Sequence, residues 1–92
     1  MIKMFNQDNY YNDFNLIQQA RQDLIGELDA IIQYDNHIQS TQNQVARQTW
    51  IDIRDEELVH VGELLAMITY LNPSQKQLIE KGVNEFNDRL KI

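Results

Sequence analysis

The feature that most constrains the fold of this sequence is a pair of side-chain seams that advance in alternating steps of three and four residues. The first seam comprises Ile17, Ala20, Leu24, Glu27, Ile31, Tyr34 and Ile38. The second seam comprises Ala46, Trp50, Ile53, Glu57, His60, Leu64, Met67 and Leu71. Steps of three and four residues bring side chains to one face of an α-helix. The sequence therefore predicts two long amphipathic helices.

A second apolar row lies beside each seam. Along the first helix it comprises Ile25, Leu28 and Ile32, and along the second it comprises Ile51, Leu58, Val61, Leu65 and Ile68. The apolar face is wider than the contact of a two-stranded coiled coil requires. This width favours a helical bundle.

Polar and helix-breaking residues mark the ends of the predicted helices. The stretch STQNQ, residues 40–44, predicts a short turn between antiparallel helices. The next break is at Asn72 and Pro73, where Asn72 is a candidate cap and Pro73 suits the first turn of a third helix. The predicted helices are at about 13–39, 44–71 and 74–90.

These elements predict an all-α fold, an antiparallel two-helix hairpin followed by a C-terminal helix. We expect residues 1–12, rich in Asn, Asp and Tyr, to form a flexible arm, and residues 13–92 to form one helical domain. A domain of this size buries a modest core, so association with further chains is expected.

Composition narrows the function classes. The 92 residues include 14 acidic and 8 basic side chains, a formal net charge of −6, without a Lys/Arg cluster for a phosphate backbone, so we expect no nucleic-acid partner. The absence of Cys excludes thiolate-bound zinc, iron–sulfur and rubredoxin-type sites. The start MIKMFNQDNYYNDF has no apolar signal core, and no run approaches the roughly 18 apolar residues of a membrane span. We expect a cytoplasmic protein without a membrane partner.

Three ionisable residues interrupt the apolar seams: Glu27 in the first, Glu57 and His60 in the second. An unpaired charge in an apolar core costs several kcal/mol or loses its charge. The spacing Glu-x-x-His places Glu57 and His60 on one helix face and is the spacing used in carboxylate-bridged di-iron bundles. Glu27 and Glu57 each lie 15 residues from Gln42, the centre of the turn, and therefore at the same height of an antiparallel hairpin. We interpret the three residues as metal ligands.

The number of ligands predicts the assembly. A four-helix di-iron site takes one Glu from each of two helices and a Glu-x-x-His from each of two others, which is twice what one chain provides. Two chains related by a two-fold axis would supply the full set, so we expect a homodimer in which two hairpins form a four-helix bundle around two metal ions. Oxygen-rich ligands with one His per metal favour iron, with Mn or Zn as substitutes.

The stretches IGELDAIIQY (residues 25–34) and RDEELVHVGEL (residues 54–64) resemble the ferritin-like superfamily. Within it, the sequence is most similar to the short encapsulated ferritins and to the erythrin-like domain of rubrerythrins. The resemblance covers residues 17–71 and implies a ferritin-like four-helix bundle. This sequence differs from the family pattern at three positions. Gly26 stands where the family often has a further Glu, Asp29 replaces another Glu, and Gln33 replaces a Trp.

The resemblance implies a ferroxidase that oxidises Fe(II) with O₂ at a di-iron site between two subunits, for iron storage or detoxification. Glu27 corresponds to the bridging or terminal carboxylate of the first helix, Glu57 to the bridging carboxylate of the second, and His60 to the nitrogen ligand. Tyr34 corresponds to an aromatic residue just outside the ligands.

The family likeness also implies partners beyond the dimer: a higher ring-like oligomer and an encapsulin-type shell, with a location inside a protein nanocompartment. The C-terminal NDRLKI does not resemble the peptide that directs cargo into such shells. Two other functions stay open: a rubrerythrin-like protein that reduces peroxide, and a non-enzymatic helical scaffold whose polar seam residues specify dimerisation.

Overall fold

The computed structural model describes the backbone of residues 7–91 and the side chains of residues 13–91. It consists of three α-helices in the order α1 (Gln7–Ser40), α2 (Gln44–Leu71) and α3 (Pro73–Arg89). Residues 7–91 include no β-strand, and the all-α prediction is confirmed.

Helix α1 begins at Gln7, six residues before the expected start at 13. Asn, Asp and Tyr are weaker helix formers than Ala by only a few tenths of a kcal/mol per residue. Extending an existing helix adds one hydrogen bond for each residue ordered, so the helix continues into the segment expected to be an arm. The described residues do not include residues 1–6 of that arm or Ile92 of the expected domain.

The turn at residues 41–43 joins α1 and α2 and is centred on Gln42, as expected. Asn43 caps α2, because its side-chain oxygen accepts a hydrogen bond from the Ala46 N–H at 3.0 Å. At the end of α1, the Thr41 N–H donates to the His37 carbonyl at 3.2 Å. The Arg47 guanidinium donates to the Thr41 carbonyl and so ties α2 to the turn.

Asn72 forms the corner between α2 and α3. Its backbone N–H donates to the Ile68 carbonyl at 3.0 Å and closes α2, while its side chain accepts from the Gln75 N–H at 3.2 Å and caps α3. Pro73 occupies the first position of α3, where its missing N–H has no intrahelical partner to lose. The cap predicted at Asn72 is therefore present.

The core lies at the open end of the α1–α2 hairpin. Among the described residues, the buried apolar side chains are Ile17, Ala20 and Ile68. Leu24, Leu64 and Leu71 pack against them and are partly buried. Helix α1 packs along α2, whereas α3 contacts α2 and reaches α1 through a hydrogen bond from the Arg21 guanidinium to the Gln75 side chain at 2.9 Å.

Much of the second apolar row remains exposed in a single chain. Its exposed members are Ile25, Leu28, Ile32, Leu58 and Leu65. Leu28 and Leu58 keep 46% and 51% of their surface, too much for a completed core. No helix in residues 7–91 combines the length and the apolar character needed to cross a membrane.

Candidate metal centre

The hairpin brings Glu27, Glu57 and His60 together. Glu27 projects from α1 toward α2, and the 3-residue step on α2 places Glu57 and His60 one above the other opposite it. The His60 Nδ1 atom lies 3.4 Å from Glu27 Oε1 and 3.6 Å from Glu57 Oε2. One ligand atom from each residue lies within 4.8 Å of the other two. The three groups thus meet at one level of the hairpin.

The spacing of these atoms fits a shared cation. Ligand atoms about 2.0–2.2 Å from an ion lie roughly 3–4.4 Å from one another, so small side-chain movements would complete the contact. Two carboxylates and an imidazole suit a divalent transition metal. The Glu27 and Glu57 side chains are largely enclosed, with 23% and 19% exposure, whereas His60 keeps 48%. In a single chain the site is therefore open on the side of His60.

An open cleft surrounds the three residues. It is also lined by Gln22, Asp23, Gly26, Ala30, Glu63 and Leu64. Asp23 lies four residues before Glu27 and Glu63 three residues after His60, so both acids are one helical turn from the ligands. Ala30 lies three residues after Glu27, a spacing that places it on the same helix face, whereas the place of Gln22, five residues before Glu27, does not follow from that spacing.

Comparison with known proteins gives two matches. A ferritin-like–encapsulin shell fusion protein from Pyrococcus furiosus is 31% identical over 85 residues, which are 92% of this chain and 25% of the fusion protein. The crystal structure of the encapsulated ferritin domain from Pyrococcus furiosus aligns with a TM-score of 0.81 at 27% identity, over 100% of this chain and 88% of that domain. The chain is an encapsulated-ferritin-like protein.

The resemblance drawn from the sequence is thereby confirmed, and it extends over more of the chain than the hairpin. This encapsulated-ferritin-like chain spans about a quarter of the length of the fusion protein that it matches. No family model matches its sequence.

Tyr34 of this encapsulated-ferritin-like protein lies toward the turn. Its ring meets the His37 ring edge-on, with centroids 6.4 Å apart, and the His37 ring lies 4.8 Å from that of Trp50. Tyr34 is not among the residues that line the cleft in the described part of the chain. Its expected place just outside the ligands stays a prediction.

Arg54 links the two helices on the same side of the site as the turn. Its Nη1 donates to Asp35 Oδ1 of α1 at 2.9 Å, and its Nε and Nη2 donate to Asp55 Oδ1 at 3.3 and 3.1 Å. The hydrogen bond with Asp35, followed by that with Asp55, raises the pKa of the Arg54 guanidinium above its ordinary value. The sequence pattern did not identify Arg54, because one of its partners, Asp35, lies on the other helix.

Proposed function

We propose that this encapsulated-ferritin-like protein is a ferroxidase that binds Fe(II) at Glu27, Glu57 and His60 and oxidises it with O₂, for iron storage or detoxification. The observation that carries the proposal is the meeting of these three residues, which are distant in sequence, within 4.8 Å of one another. The likeness to ferritin-like proteins supports iron as the metal.

We place the complete site between two subunits. One chain offers three ligand groups, which is half of the set used by four-helix di-iron proteins. The apolar row next to the site is exposed in a single chain and would be covered if a second hairpin packed against it. A homodimer would then hold two iron ions between two copies of each ligand.

The carboxylates and the imidazole would have different roles as ligands. Carboxylates are hard oxygen ligands that accept both ferrous and ferric ions, so Glu27 and Glu57 would hold the substrate before and after its oxidation. His60 would supply a neutral nitrogen ligand and face the open side of the cleft. Each Fe(II) gives up one electron, and O₂ leaves as H₂O₂ after taking two electrons and two protons.

A protein shell is the partner that the relative suggests. The Pyrococcus furiosus protein joins a ferritin-like part to an encapsulin shell in one chain. We propose that the present chain works inside a compartment of that kind, where ferric product would be retained.

The test compares Glu57→Ala with the neighbouring Glu56→Ala. Glu57 is a proposed ligand, whereas Glu56 is exposed and lies outside the ligand group. Metal-free protein is titrated with Fe(II) without oxygen and then exposed to air, while absorbance reports ferric ion and light scattering reports mass. We expect wild type and Glu56→Ala to saturate at about one iron per chain with a rise in mass, and Glu57→Ala to oxidise iron no faster than buffer.

Wild-type oxidation rates in Glu57→Ala would refute the assignment. A wild-type protein that binds no iron and keeps its mass would leave the three residues as a polar layer of a helical scaffold. Sustained consumption of H₂O₂ with a reductant, without accumulation of ferric ion, would instead identify a peroxide-reducing protein.

A further inference from the structure

The Arg54–Asp35 ion pair connects α1 to α2 between the candidate metal centre and the turn. Arg54 precedes Glu57 by one helical turn, and Asp35 follows Glu27 by about two. In residues 13–91, the other contact between ionisable side chains of the two helices is that of His60 with Glu27 in the site itself. The pair is partly shielded, because the Arg54 side chain keeps 28% exposure.

We propose that Arg54, held by Asp55 and bound to Asp35, is a positioning residue that sets the register of α1 against α2 and so brings Glu27 to the metal held by Glu57 and His60. This inference rests on the proposed function, since it concerns the same metal centre.

Register matters because the ligands come from different helices. Sliding α1 along α2 by one residue moves Glu27 by about 1.5 Å. Metal–ligand distances tolerate only about 0.2 Å. Rotation of the Glu27 side chain can absorb a slip of a few tenths of an ångström, but a slip that approaches one residue would take Glu27 away from the metal while leaving Glu57 and His60 in place on their shared helix.

The turn at residues 41–43 fixes the approximate register, and apolar packing refines it only weakly. The buried residues Ile17, Ala20 and Ile68 all lie on the far side of the site from the turn. Apolar contact is non-directional, and the seam residues between the site and the turn are only partly buried. A charge-assisted hydrogen bond of 2.9 Å, by contrast, has a defined length and direction.

Asp55 makes this contact directional. It binds the Nε and Nη2 atoms of Arg54 from the adjacent position on α2, which leaves Nη1 to donate across to Asp35. A guanidinium anchored on one edge is less free to follow a sliding partner than the flexible ammonium of a lysine.

The test measures Co(II) binding to the full chain by visible absorbance, which reports both affinity and ligand geometry. The variants are Arg54→Gln, Asp35→Asn and the exchange Arg54→Asp with Asp35→Arg, beside Glu57→Ala. Asn43→Ala serves as the matched control, because it removes the cap of α2 and lowers stability without touching the ion pair. Helix content and thermal denaturation are recorded for every metal-free variant.

We expect Arg54→Gln and Asp35→Asn each to bind Co(II) about tenfold more weakly, with an altered visible spectrum, as for other groups that orient ligands. Asn43→Ala should keep the wild-type affinity and spectrum despite its lower melting temperature. The exchange variant should recover part of the lost affinity, because opposite charges again face each other across the hairpin while the anchor provided by Asp55 is lost. Recovery of Co(II) affinity would also show that the single variants lose affinity because the ion pair is broken, and not because they fold poorly.

Wild-type affinity and spectrum in both single variants, with binding lost in Glu57→Ala, would overturn the positioning role and leave the proposed function standing. A wild-type chain that binds neither Co(II) nor Fe(II) would overturn both proposals together.

Discussion

At the scale of single residues, the candidate metal centre places two carboxylates and an imidazole within 4.8 Å of one another. The two carboxylates repel each other, and partial burial removes some of their hydration. Residues chosen for stability alone would be apolar at these seam positions. This arrangement agrees with the proposal that the three residues bind metal at some cost in stability.

This view predicts that Glu27→Gln weakens metal binding strongly and changes stability little. The amide keeps the shape of Glu27 but removes a charge that faces Glu57 and His60. We expect metal affinity to fall at least about tenfold, while the free energy of unfolding of the metal-free protein changes by less than about 1 kcal/mol. Calorimetric titration and thermal denaturation measure the two quantities.

Asp29→Asn is the matched control for Glu27→Gln, because it removes a carboxylate from an exposed position of α1 outside the ligand group. It should leave metal affinity unchanged. A parallel loss of affinity in both variants would indicate general attraction of cations by the acidic chain rather than ligation by Glu27.

At the scale of elements, two asparagines set where α2 and α3 begin. Asn43 and Asn72 each accept a hydrogen bond from the N–H three residues ahead, at 3.0 and 3.2 Å. Asn72 also closes α2 through its own backbone N–H. The direction of α3 thus depends on one residue, together with the bond between Arg21 and Gln75.

Replacing Asn72 by Ala should lower the free energy of unfolding by about 1 kcal/mol, because the first turn of α3 loses its side-chain acceptor. Thermal and urea denaturation measure the change. Asn84→Ala, at an exposed position within α3, should cost nothing or stabilise the protein, since Ala is the better helix former. Equal destabilisation by the two substitutions would show that the Asn72 cap contributes no more than any surface asparagine.

At the scale of the whole molecule, a single chain buries few apolar residues and exposes a row of them beside the metal centre. With Ile17, Ala20 and Ile68 as its buried apolar side chains, the described part of the chain has little core to offset the entropy of ordering three helices. A second copy packed on the exposed row would supply the missing burial and ligands in one step.

Leu58→Lys should therefore weaken dimerisation and metal binding together. Leu58 lies in the exposed apolar row, and burying a lysine there without a partner would cost several kcal/mol, so we expect the dimer dissociation constant to rise at least about tenfold. Sedimentation equilibrium with and without Co(II) measures the constant.

The neighbouring Val59→Lys provides the control, because Val59 is also exposed but lies outside the seam and its adjacent row. It should leave both properties unchanged. Wild-type metal binding by Leu58→Lys chains that no longer dimerise would contradict a site shared between subunits.

Much of the fold and the approach of the three ligands follow from sequence, because helical geometry converts spacing into position. The constant rise per residue and the turn at Gln42 place Glu27 opposite Glu57, and the step of three places His60 beside Glu57. The capping residues of α3 were also predictable, since the Asn72 side chain and Pro73 influence only backbone groups in the first turn of the helix they begin.

Tertiary structure decided which side chains distant in sequence contact each other, because the local sequence does not specify such partners. Arg54 had several acids within reach of a helix face, and only the packing of α1 on α2 selected Asp35. The start of α1 at Gln7 likewise depended on the helix that follows it rather than on the propensity of the segment. The apolar row predicted to face a core is exposed in one chain, because periodicity specifies which residues share a face but not what covers that face.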